Sequence, residues 1–399
     1  MKRNSILLIL GLAGFTVMAD NWVVSPILPA IAKSIGVPVT SAGLLITSYM
    51  IPFGLFQLVF GPLADRFGKR QILNFAMFFF TFAAALTAIG RGLGDLTIYR
   101  AITGIFAASV MPVSLALIAD LVPMEERQSA IGTFMGISFL GQGLSMAIGG
   151  SIAFFLSWRG VFAVYSVLAA MVTILFFTVG RKIPSTKNPN SELLAPYGRL
   201  LGNASSLILY LIVLLEGIFI LGSFSYLGAF IENVYRFNYL KIGFIMTAFG
   251  VMAVIGGRLS GKLAAKVGRR KVLVMGLTSA TIADALFFLG GNILWVLIVG
   301  VALLGLGFML AHSTLLTIAT EFAAKARGAA MSLVAFCFMG GGGVGTAVGG
   351  KLIKSVGFET FFSYYGGALF ILIFLAGVLI KCEIEAKPAA IPVQTYKNS

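Results

Sequence analysis

Charged residues are scarce in this chain. Only 11% of its 399 residues are Asp, Glu, Lys or Arg, whereas 59% are hydrophobic, and soluble domains carry about 25% charged residues. This shortage argues against a soluble protein and predicts an integral membrane protein surrounded by lipid. The net charge of +15 does not indicate nucleic-acid binding, because the basic residues occupy short segments between apolar runs.

The residue types that build catalytic and metal sites are also few. The chain has one histidine and two distant cysteines, Cys337 and Cys382, which indicate neither a disulfide framework nor a metal site. A phosphate-binding G-x-x-x-x-G-K-S/T loop is absent, so ATP-driven transport is not indicated. The few polar residues assemble no nucleophile–base pair. We therefore expect no enzymatic activity, no metal and no cofactor.

Twelve apolar runs approach the length of about 20 residues that spans a bilayer as a helix. The predicted helices 1 to 12 lie near residues 6–30, 42–61, 72–90, 96–120, 129–155, 160–180, 206–231, 241–261, 272–290, 293–319, 329–353 and 358–381. The predicted fold class is therefore an all-α integral membrane protein with twelve transmembrane helices in two six-helix halves. The predicted boundaries are 1–181 for the N-terminal half, 182–204 for a linker, 205–382 for the C-terminal half and 383–399 for a tail.

The basic residues predict the orientation. Of the 29 lysines and arginines, 20 fall on the side that carries both termini and seven fall on the other side. Cytoplasmic segments carry the excess of these residues. We expect both termini to be cytoplasmic, in the inner or plasma membrane of a bacterium or archaeon.

A duplication is visible at an offset of 200 residues. Gly61–Arg70 reads GPLADRFGKR, and Gly261–Arg270 reads GKLAAKVGRR. Further pairs at this offset are Gly149 and Gly349, Gly150 and Gly350, Arg127 and Arg327, and Phe162 and Phe362. A fixed offset held across both halves indicates a duplicated unit.

The first decapeptide is predicted to form a short charged loop between two apolar spans. It resembles the G-x-L-a-D-r-x-G-r-r/k motif between helices 2 and 3 of the major facilitator superfamily. The resemblance covers essentially the whole chain, and it is strongest to the twelve-span drug:H+ antiporter and sugar-efflux permease branch. It implies a transporter whose two halves rock about a central site near the membrane midplane.

The resemblance also implies a cytoplasmic charge network. The family places the acid, here Asp65, against the N-terminus of helix 11, where the partial charge is positive. We expect Arg66 and Arg70 to reach Asp120, and a less complete second network because Ala265 replaces the acid. The alternative is that these charges only set the topology. The predicted gate residues are Gly61, Asp65, Arg66, Gly68, Arg70, Asp120, Arg127, Gly261, Gly268 and Arg269.

Two charges inside the predicted spans match helix motifs of the family. Asp20–Pro29 looks like the D-x-x-x-x-x-x-x-L-P pattern of helix 1 in drug antiporters, and Arg100–Ala108 resembles the helix 4 motif whose arginine is implicated in proton coupling. The helical rise puts Asp20 and Arg100 at a similar depth, within reach of each other. We expect a pair that a proton or substrate can break, with a purely structural ion pair as the alternative.

Three more ionisable residues lie in the predicted spans, where each buried acid costs about 2.5–3.5 kcal/mol. Glu216, near the middle of helix 7, is a second candidate for binding a proton or cation. Asp284 in helix 9 and His312 in helix 10 are further coupling candidates, with roles in packing as the alternative. The resemblance implies that helices 1, 4, 7 and 10 line the cavity.

The expected cavity wall is largely aromatic, which suits bulky apolar or cationic ligands. The candidate lining residues are Asn21, Trp22, Tyr49, Phe53, Gln57, Phe219 and Tyr226. Helix 5 departs from the antiporter pattern, because Ser145-Met146 replaces its Gly-Pro. Because of this departure, a proton symporter remains an alternative to an antiporter.

The sequence thus predicts a proton-coupled exporter of small lipophilic or amphiphilic compounds such as drugs. It would work as a monomer, by alternating access, with the proton gradient as its energy source. A proton symporter or a sugar or metabolite permease of the same fold is the first alternative. A non-transporting membrane sensor or scaffold is the second.

Overall fold

The computed structural model describes residues 3–185, 187, 195–322 and 327–380, and all regular secondary structure in these residues is helical. Helices 1 to 10 are Arg3–Trp22 with Val24–Ile35, Val39–Phe67, Lys69–Ile89, Leu93–Leu121, Met124–Phe155, Trp158–Phe177, Ala204–Tyr235, Tyr239–Val267, Arg269–Gly290 and Leu294–Phe322. Helices 11 and 12 share the run Arg327–Leu379, which bends at Gly357 with φ 81°. The predicted twelve-helix fold is confirmed for the described residues.

The decapeptide Gly61–Arg70 does not form the loop that the sequence suggested. Helix 2 continues to Phe67 and helix 3 begins at Lys69, so only Gly68 lies outside a helix. Gly68 has φ 101°, and Gly268, its counterpart in the second copy, has φ 85°. Because this backbone region strains residues that carry a side chain, a single glycine makes the reversal. The charges of the motif therefore stand on helix ends.

Helices 1 and 4 are each interrupted just before a proline. Helix 1 breaks at Val23 ahead of Pro26, and helix 4 breaks at residues 108–109 ahead of Pro112. Proline has no N–H to complete the helical hydrogen bond to the preceding turn, so each break has a local cause. The first break lies within one turn of Asp20, which places a helix irregularity beside a buried acid.

The duplication is visible in tertiary contacts as well. The Tyr165 hydroxyl donates to the Ser145 carbonyl at 3.4 Å, and the Tyr365 hydroxyl donates to the Gly345 carbonyl at 2.6 Å. Both members of the second pair stand 200 residues after those of the first. The two halves therefore repeat the same helix packing.

The buried charges do not follow the repeat. Asp20 corresponds to Ile220, and Arg100 corresponds to Gly300. The halves thus share a scaffold but differ in chemistry. The exact limits of the halves stay a prediction, since residues 186 and 188–194 of the linker and the whole tail 383–399 lie outside the described residues.

The halves are joined by hydrogen bonds on the membrane side away from the termini, called the opposite side below; the side of the termini is called the terminal side. Ser25 Oγ donates to the Phe224 carbonyl at 2.7 Å. The Tyr226 hydroxyl donates to the Thr40 carbonyl at 3.3 Å. Each bond connects one half to the other, so the two halves are in direct contact on the opposite side.

Candidate functional site

An ion pair between Asp20 and Arg100 lies inside the N-terminal half. Arg100 Nη1 is 2.6 Å from Asp20 Oδ2, and Arg100 Nη2 donates to the Asp20 carbonyl at 3.4 Å. The two side chains are 0% and 1% exposed. Helix 4 can approach helix 2 here because Gly104 has no side chain; a Cβ at this position would overlap the Tyr49 carbonyl. The pair that the sequence predicted does form, and its role in coupling stays a prediction.

Two aromatic rings face the Arg100 guanidinium. Arg100 Cζ lies 4.3 Å from the centroid of the Tyr49 ring and 5.5 Å from that of the Phe162 ring, within the distance of about 6 Å at which cations attract ring faces. Asp20 Oδ1, Arg100 Nε and the Tyr49 hydroxyl have no hydrogen-bond partner among the described residues. The ion pair therefore retains unused hydrogen-bonding capacity.

Glu216 and His312, which the sequence presented as separate candidates, form a second pair. His312 Nδ1 is 3.3 Å from Glu216 Oε2, with Glu216 fully buried and the His312 side chain 19% exposed. Immediately after Glu216, helix 7 becomes π-helical over Gly217–Leu221, a geometry found frequently at functional sites. The His312 ring packs on Phe338 at 4.1 Å. No motif links positions 216 and 312, and only the expected neighbourhood of helices 7 and 10 hinted at the contact.

Asp284 links helix 9 to helix 7. Its Oδ2 accepts a hydrogen bond from Ser223 Oγ at 2.9 Å, and its side chain is fully buried. Among the described residues, no ion pair or hydrogen bond connects Asp284 with the other coupling candidates. The described residues also contain no group of three His, Cys, Asp or Glu side chains that could hold a metal ion. A packing role for Asp284 fits these contacts.

An aromatic cluster connects helix 1 with the C-terminal half. The Trp22 ring lies 4.9 Å from that of Phe224, 5.4 Å from that of Phe249 and 5.8 Å from that of Phe308. Phe308 in turn stacks on Phe338 at 5.4 Å. The aromatic cluster consists of Trp22, Phe224, Phe249, Phe308 and Phe338. Its rings offer faces that suit apolar or cationic groups.

Three other predicted lining residues are buried in the N-terminal half. Phe53 stacks on Tyr49 at 5.6 Å. Asn21 is 7% exposed and Gln57 is 6% exposed, and Asn21 Nδ2 has no hydrogen-bond partner among the described residues. Phe53 therefore supports the Tyr49 ring, while the two amides add polar groups to this half.

The expectation that Phe219 and Tyr226 line the cavity stays a prediction, and in this conformation both side chains contact helices 11 and 12 or the facing half. Phe219 packs edge-to-face on Tyr365 of helix 12 at 5.5 Å, inside the C-terminal half. The Tyr226 hydroxyl donates to the Thr346 carbonyl at 3.0 Å, in addition to its bond across the halves. The π-helical segment Gly217–Leu221 changes the faces that helix 7 presents at this point.

Lys69, which the sequence analysis did not single out, is the central cation of the terminal-side network. Lys69 Nζ lies 2.8 Å from Asp120 Oδ2 and 3.1 Å from Asp65 Oδ1. The expectation that Arg66 and Arg70 reach Asp120 is therefore wrong. Asp65 pairs with Lys69, and its expected contact with the N-terminus of helix 11 stays a prediction, since residues 323–326 lie outside the described residues. The cause is the tight reversal at Gly68, which brings Asp65 near the end of helix 2 next to Lys69 at the start of helix 3.

The remaining basic residues of this network bind backbone groups or rings. Arg70 Nη1 donates to the carbonyls of Arg181 and Ile183, the latter at 3.0 Å. Arg66 lies over the Phe67 ring at 5.9 Å. Arg70 therefore fastens the beginning of the linker to helix 3.

At the start of helix 5, Arg127 Nη2 donates to the Val122 carbonyl at 3.5 Å. This contact bridges the turn that joins helix 4 to helix 5. Gly61, earlier in the first decapeptide, lies within helix 2 and faces Ser332 of helix 11. Gly61 is therefore a point where the two halves approach each other on the terminal side.

The second copy of the motif has its own ion pair, between Arg269 and Glu321. Arg269 follows Lys69 by 200 residues, and Glu321 follows Asp120 by 201 residues, so the two pairs correspond. Gly261 lies within helix 8, and a Cβ at this position would meet no neighbouring atom. The second network thus lacks the acid at Ala265, as expected, but it keeps an ion pair between helices 9 and 10.

We expect Lys69→Ala to lower the stability of the protein more than Arg66→Ala does. Lys69 bonds two carboxylates, but partly exposed ion pairs contribute only about 0–1 kcal/mol each, so the expected loss is about 1 kcal/mol. Arg66→Ala, the matched control at the end of helix 2, removes a contact with the neighbouring Phe67 ring. Thermal unfolding in detergent measures both. Equal losses, or a larger one for Arg66→Ala, would contradict the position of Lys69 in the network.

Comparison with known proteins identifies the fold family. The family model described as Major Facilitator Superfamily matches residues 10–325 and 238–397. The chain is 26% identical over 353 residues to the uncharacterized MFS-type transporter YceJ of Bacillus subtilis, covering 86% of this chain and 87% of that protein. It is also 26% identical over 366 residues to a probable sugar efflux transporter of Helicobacter pylori, covering 91% and 92%.

Two solved structures share the fold. The human organic anion transporter MFSD10 superposes with a TM-score of 0.70 at 18% identity, and the nucleoside transporter NupG superposes with 0.78 at 14% identity. Each comparison covers 94% of this chain and 100% of the other. At these identities the likeness concerns the fold alone. With the family match over most of its length, the chain belongs to the major facilitator superfamily and is a multi-pass membrane transporter of small molecules, not an enzyme.

Proposed function

We propose that this transporter is proton-coupled and exports small lipophilic or amphiphilic compounds in exchange for protons. The observation that carries the proposal is the buried Asp20–Arg100 ion pair beside the break in helix 1. Burying two charges costs free energy. A pair that opens and re-forms during transport would explain why the protein keeps these charges buried. Protonation of Asp20 would weaken the pair, and its re-formation would release the proton.

The Glu216–His312 pair supports a second site of proton exchange, in the other half. Histidine is the side chain whose charge changes most readily near neutral pH, and here it contacts a carboxylate directly. One exchanging pair in each half gives protonation a way to favour one arrangement of the halves over the other.

Alternating access requires the opposite side to open. The bonds from Ser25 and Tyr226 across the halves would have to break in that step. We assign the terminal side to the cytoplasm because basic residues are concentrated there. With this assignment the present conformation is closed to the outside, both termini are cytoplasmic, and one chain suffices as a monomer because it contains both halves.

The aromatic cluster supports substrates with an apolar body, since its rings offer flat apolar faces at the boundary between the halves. We propose that the proton gradient supplies the energy and that no cofactor takes part.

A sugar or metabolite permease is the second candidate. The N-terminal half holds polar groups without partners among the described residues, namely Asn21 Nδ2, the Tyr49 hydroxyl and Gln142 Nε2. Such groups favour a ligand that carries hydroxyls, and the H. pylori relatives are named as probable sugar efflux transporters. The missing Gly-Pro in helix 5 also leaves proton symport open.

Proton flux in inverted membrane vesicles tests the proposal. The lumen is acidified by respiration, and lipophilic cations, neutral drugs and sugars are added outside one at a time. We expect at least one class to release luminal protons with wild-type protein and to release none with Asp20→Asn. Asp284→Asn is the matched control, because it removes a buried carboxylate that no ion pair or hydrogen bond among the described residues connects to the pairs, and it should keep the response.

Two results would contradict this proposal. One is that no compound releases protons, and the other is that Asp20→Asn responds as the wild type does. Proton release that requires substrate loaded inside the vesicles would indicate a symporter instead.

A further inference from the structure

Neutralising Asp20 creates a difficulty for Arg100. Arginine keeps its positive charge at all pH values at which proteins work, and the Arg100 side chain is 1% exposed. Within the part of the chain that the structure describes, Asp20 is the only carboxylate that bonds Arg100. If Asp20 takes up a proton, the guanidinium needs another stabilising contact.

We propose that Tyr49 and Phe162 are positioning residues that hold Arg100 in place while Asp20 is neutral. Together they are called the aromatic clamp. This inference rests on the proposed proton coupling, and it assigns to two side chains a task that the charge motifs do not cover.

The geometry of the clamp fits this task. The Tyr49 ring is 4.3 Å from Arg100 Cζ and the Phe162 ring is 5.5 Å from it, while Tyr49 is 0% exposed and Phe162 is 1% exposed. A cation–π contact is strongest where water is absent. Phe53 supports the Tyr49 ring by stacking on it at 5.6 Å.

The helices that carry the clamp strengthen the inference. Tyr49 is in helix 2 and Phe162 is in helix 6, whereas Asp20 is in helix 1, which is broken three residues later at Val23. The rings therefore do not depend on the position of the acid. Helix 1 can shift when Asp20 changes its charge, while the guanidinium stays between helices 4, 2 and 6.

Other titratable groups near the pair are few. Tyr49 and Tyr165 are the described tyrosines that interact electrostatically with Asp20. The Tyr165 hydroxyl donates to the Ser145 carbonyl, whereas the Tyr49 hydroxyl has no partner among the described residues. A variant that removes this hydroxyl but keeps the ring therefore separates the two possible contributions of Tyr49.

The duplicated half provides a natural control. Phe162 corresponds to Phe362, but the counterpart of Arg100 is Gly300. Phe362 packs on other rings, at 5.0 Å from Phe230 and 5.0 Å from Phe287. The same scaffold position thus serves packing alone in one half and faces a cation in the other.

The pH dependence of substrate-triggered proton release tests the clamp. When Asp20 is neutral, the two rings are the main stabilising contacts of the Arg100 guanidinium, so losing a ring makes this protonated state less stable. When Asp20 is charged, its ion pair with Arg100 remains and the loss matters less. Proton binding should therefore weaken by about tenfold, which moves the pH midpoint about one unit lower in Tyr49→Leu and in Phe162→Leu. Tyr49→Phe should restore the wild-type midpoint. Phe362→Leu, the matched control, should change the rate equally at every pH and leave the midpoint in place.

Thermal unfolding gives a readout that does not need a substrate. Asp20→Asn imitates the neutral acid, so Tyr49→Leu should lower the Tm more in that background than in the wild type. Phe362→Leu should lower it equally in both. Unchanged midpoints together with additive Tm changes would overturn the clamp, as would a Tyr49→Phe midpoint as low as that of Tyr49→Leu.

The two proposals can fail separately. If wild-type protein couples no substrate to protons, the proposed function is wrong, and the Tm comparison still decides whether the rings stabilise an unpaired Arg100. If coupling is present but the midpoints and Tm changes do not follow the clamp, only the clamp is wrong.

Discussion

Replacing Arg100 with alanine should destabilise the protein by about 3–5 kcal/mol, the usual loss when one partner of a buried ion pair is removed. The reason is that Asp20, which is 0% exposed, would keep its charge without a counter-ion or have to be neutralised. We expect a lower Tm in detergent and a smaller yield of folded protein by size-exclusion chromatography.

Two further variants show whether the ion pair is the cause. Arg100→Gln combined with Asp20→Asn removes both charges and should recover a large part of the stability, since neither side chain is then left as an unpaired ion. Arg258→Ala removes an exposed arginine of helix 8 and should cost far less. A wild-type Tm for Arg100→Ala, or a double variant no more stable than the single one, would show that the pair does not stabilise the fold.

Replacing Glu216 with glutamine should reduce substrate-triggered proton release to the level of vesicles without the protein. Glutamine has the same size and can still hydrogen-bond His312, but it cannot exchange a proton in this range of pH. The fold should be kept, because neutralising a fully buried carboxylate leaves no charge unpaired. The initial rate of proton release, divided by the amount of folded protein in the membrane, measures the effect.

The matched control is Glu321→Gln. This glutamate also pairs with a basic side chain of the C-terminal half, but it lies at the end of helix 10 in the terminal-side network. We expect Glu321→Gln to retain substrate-triggered proton release. If Glu216→Gln also retains it, the Glu216–His312 pair is structural, and coupling would rest on Asp20 alone.

The parts that sequence predicted well depend on simple regularities. Membrane thickness fixes the length of an apolar span, so the twelve runs located the twelve helices. The Asp20–Arg100 contact was predictable because each residue lies in a motif of its own and the helical rise gives both the same depth. Buried charges are also few, which left little choice of partner.

The parts that sequence did not predict depend on helix rotation and on local irregularities. Glu216 and His312 are 96 positions apart, and no repeat or motif joins them. Lys69 was missed because the decapeptide was interpreted as a loop, whereas the reversal at the single residue Gly68 brings Lys69 and Asp65 together.

The side-chain orientations of helix 7 were also not predictable from the sequence. Phe219 and Tyr226 were assigned to the cavity because helix 7 was expected to border it, but the π-helical segment Gly217–Leu221 alters the rotation of the helix. No composition signal marks such a segment in advance, since its one glycine, Gly217, is of a type that also occurs in regular membrane helices. The faces of helix 7 therefore required the three-dimensional structure.

Transport by purified protein in liposomes tests the central proposal most directly. The protein is reconstituted, a pH gradient is imposed without a membrane potential, and movement of a substrate found in the vesicle screen is followed. We expect the substrate to accumulate on the acidic side against its own gradient, and Asp20→Asn to allow no accumulation. Equilibration without accumulation in the wild type, or movement away from the acidic side, would contradict proton-coupled export.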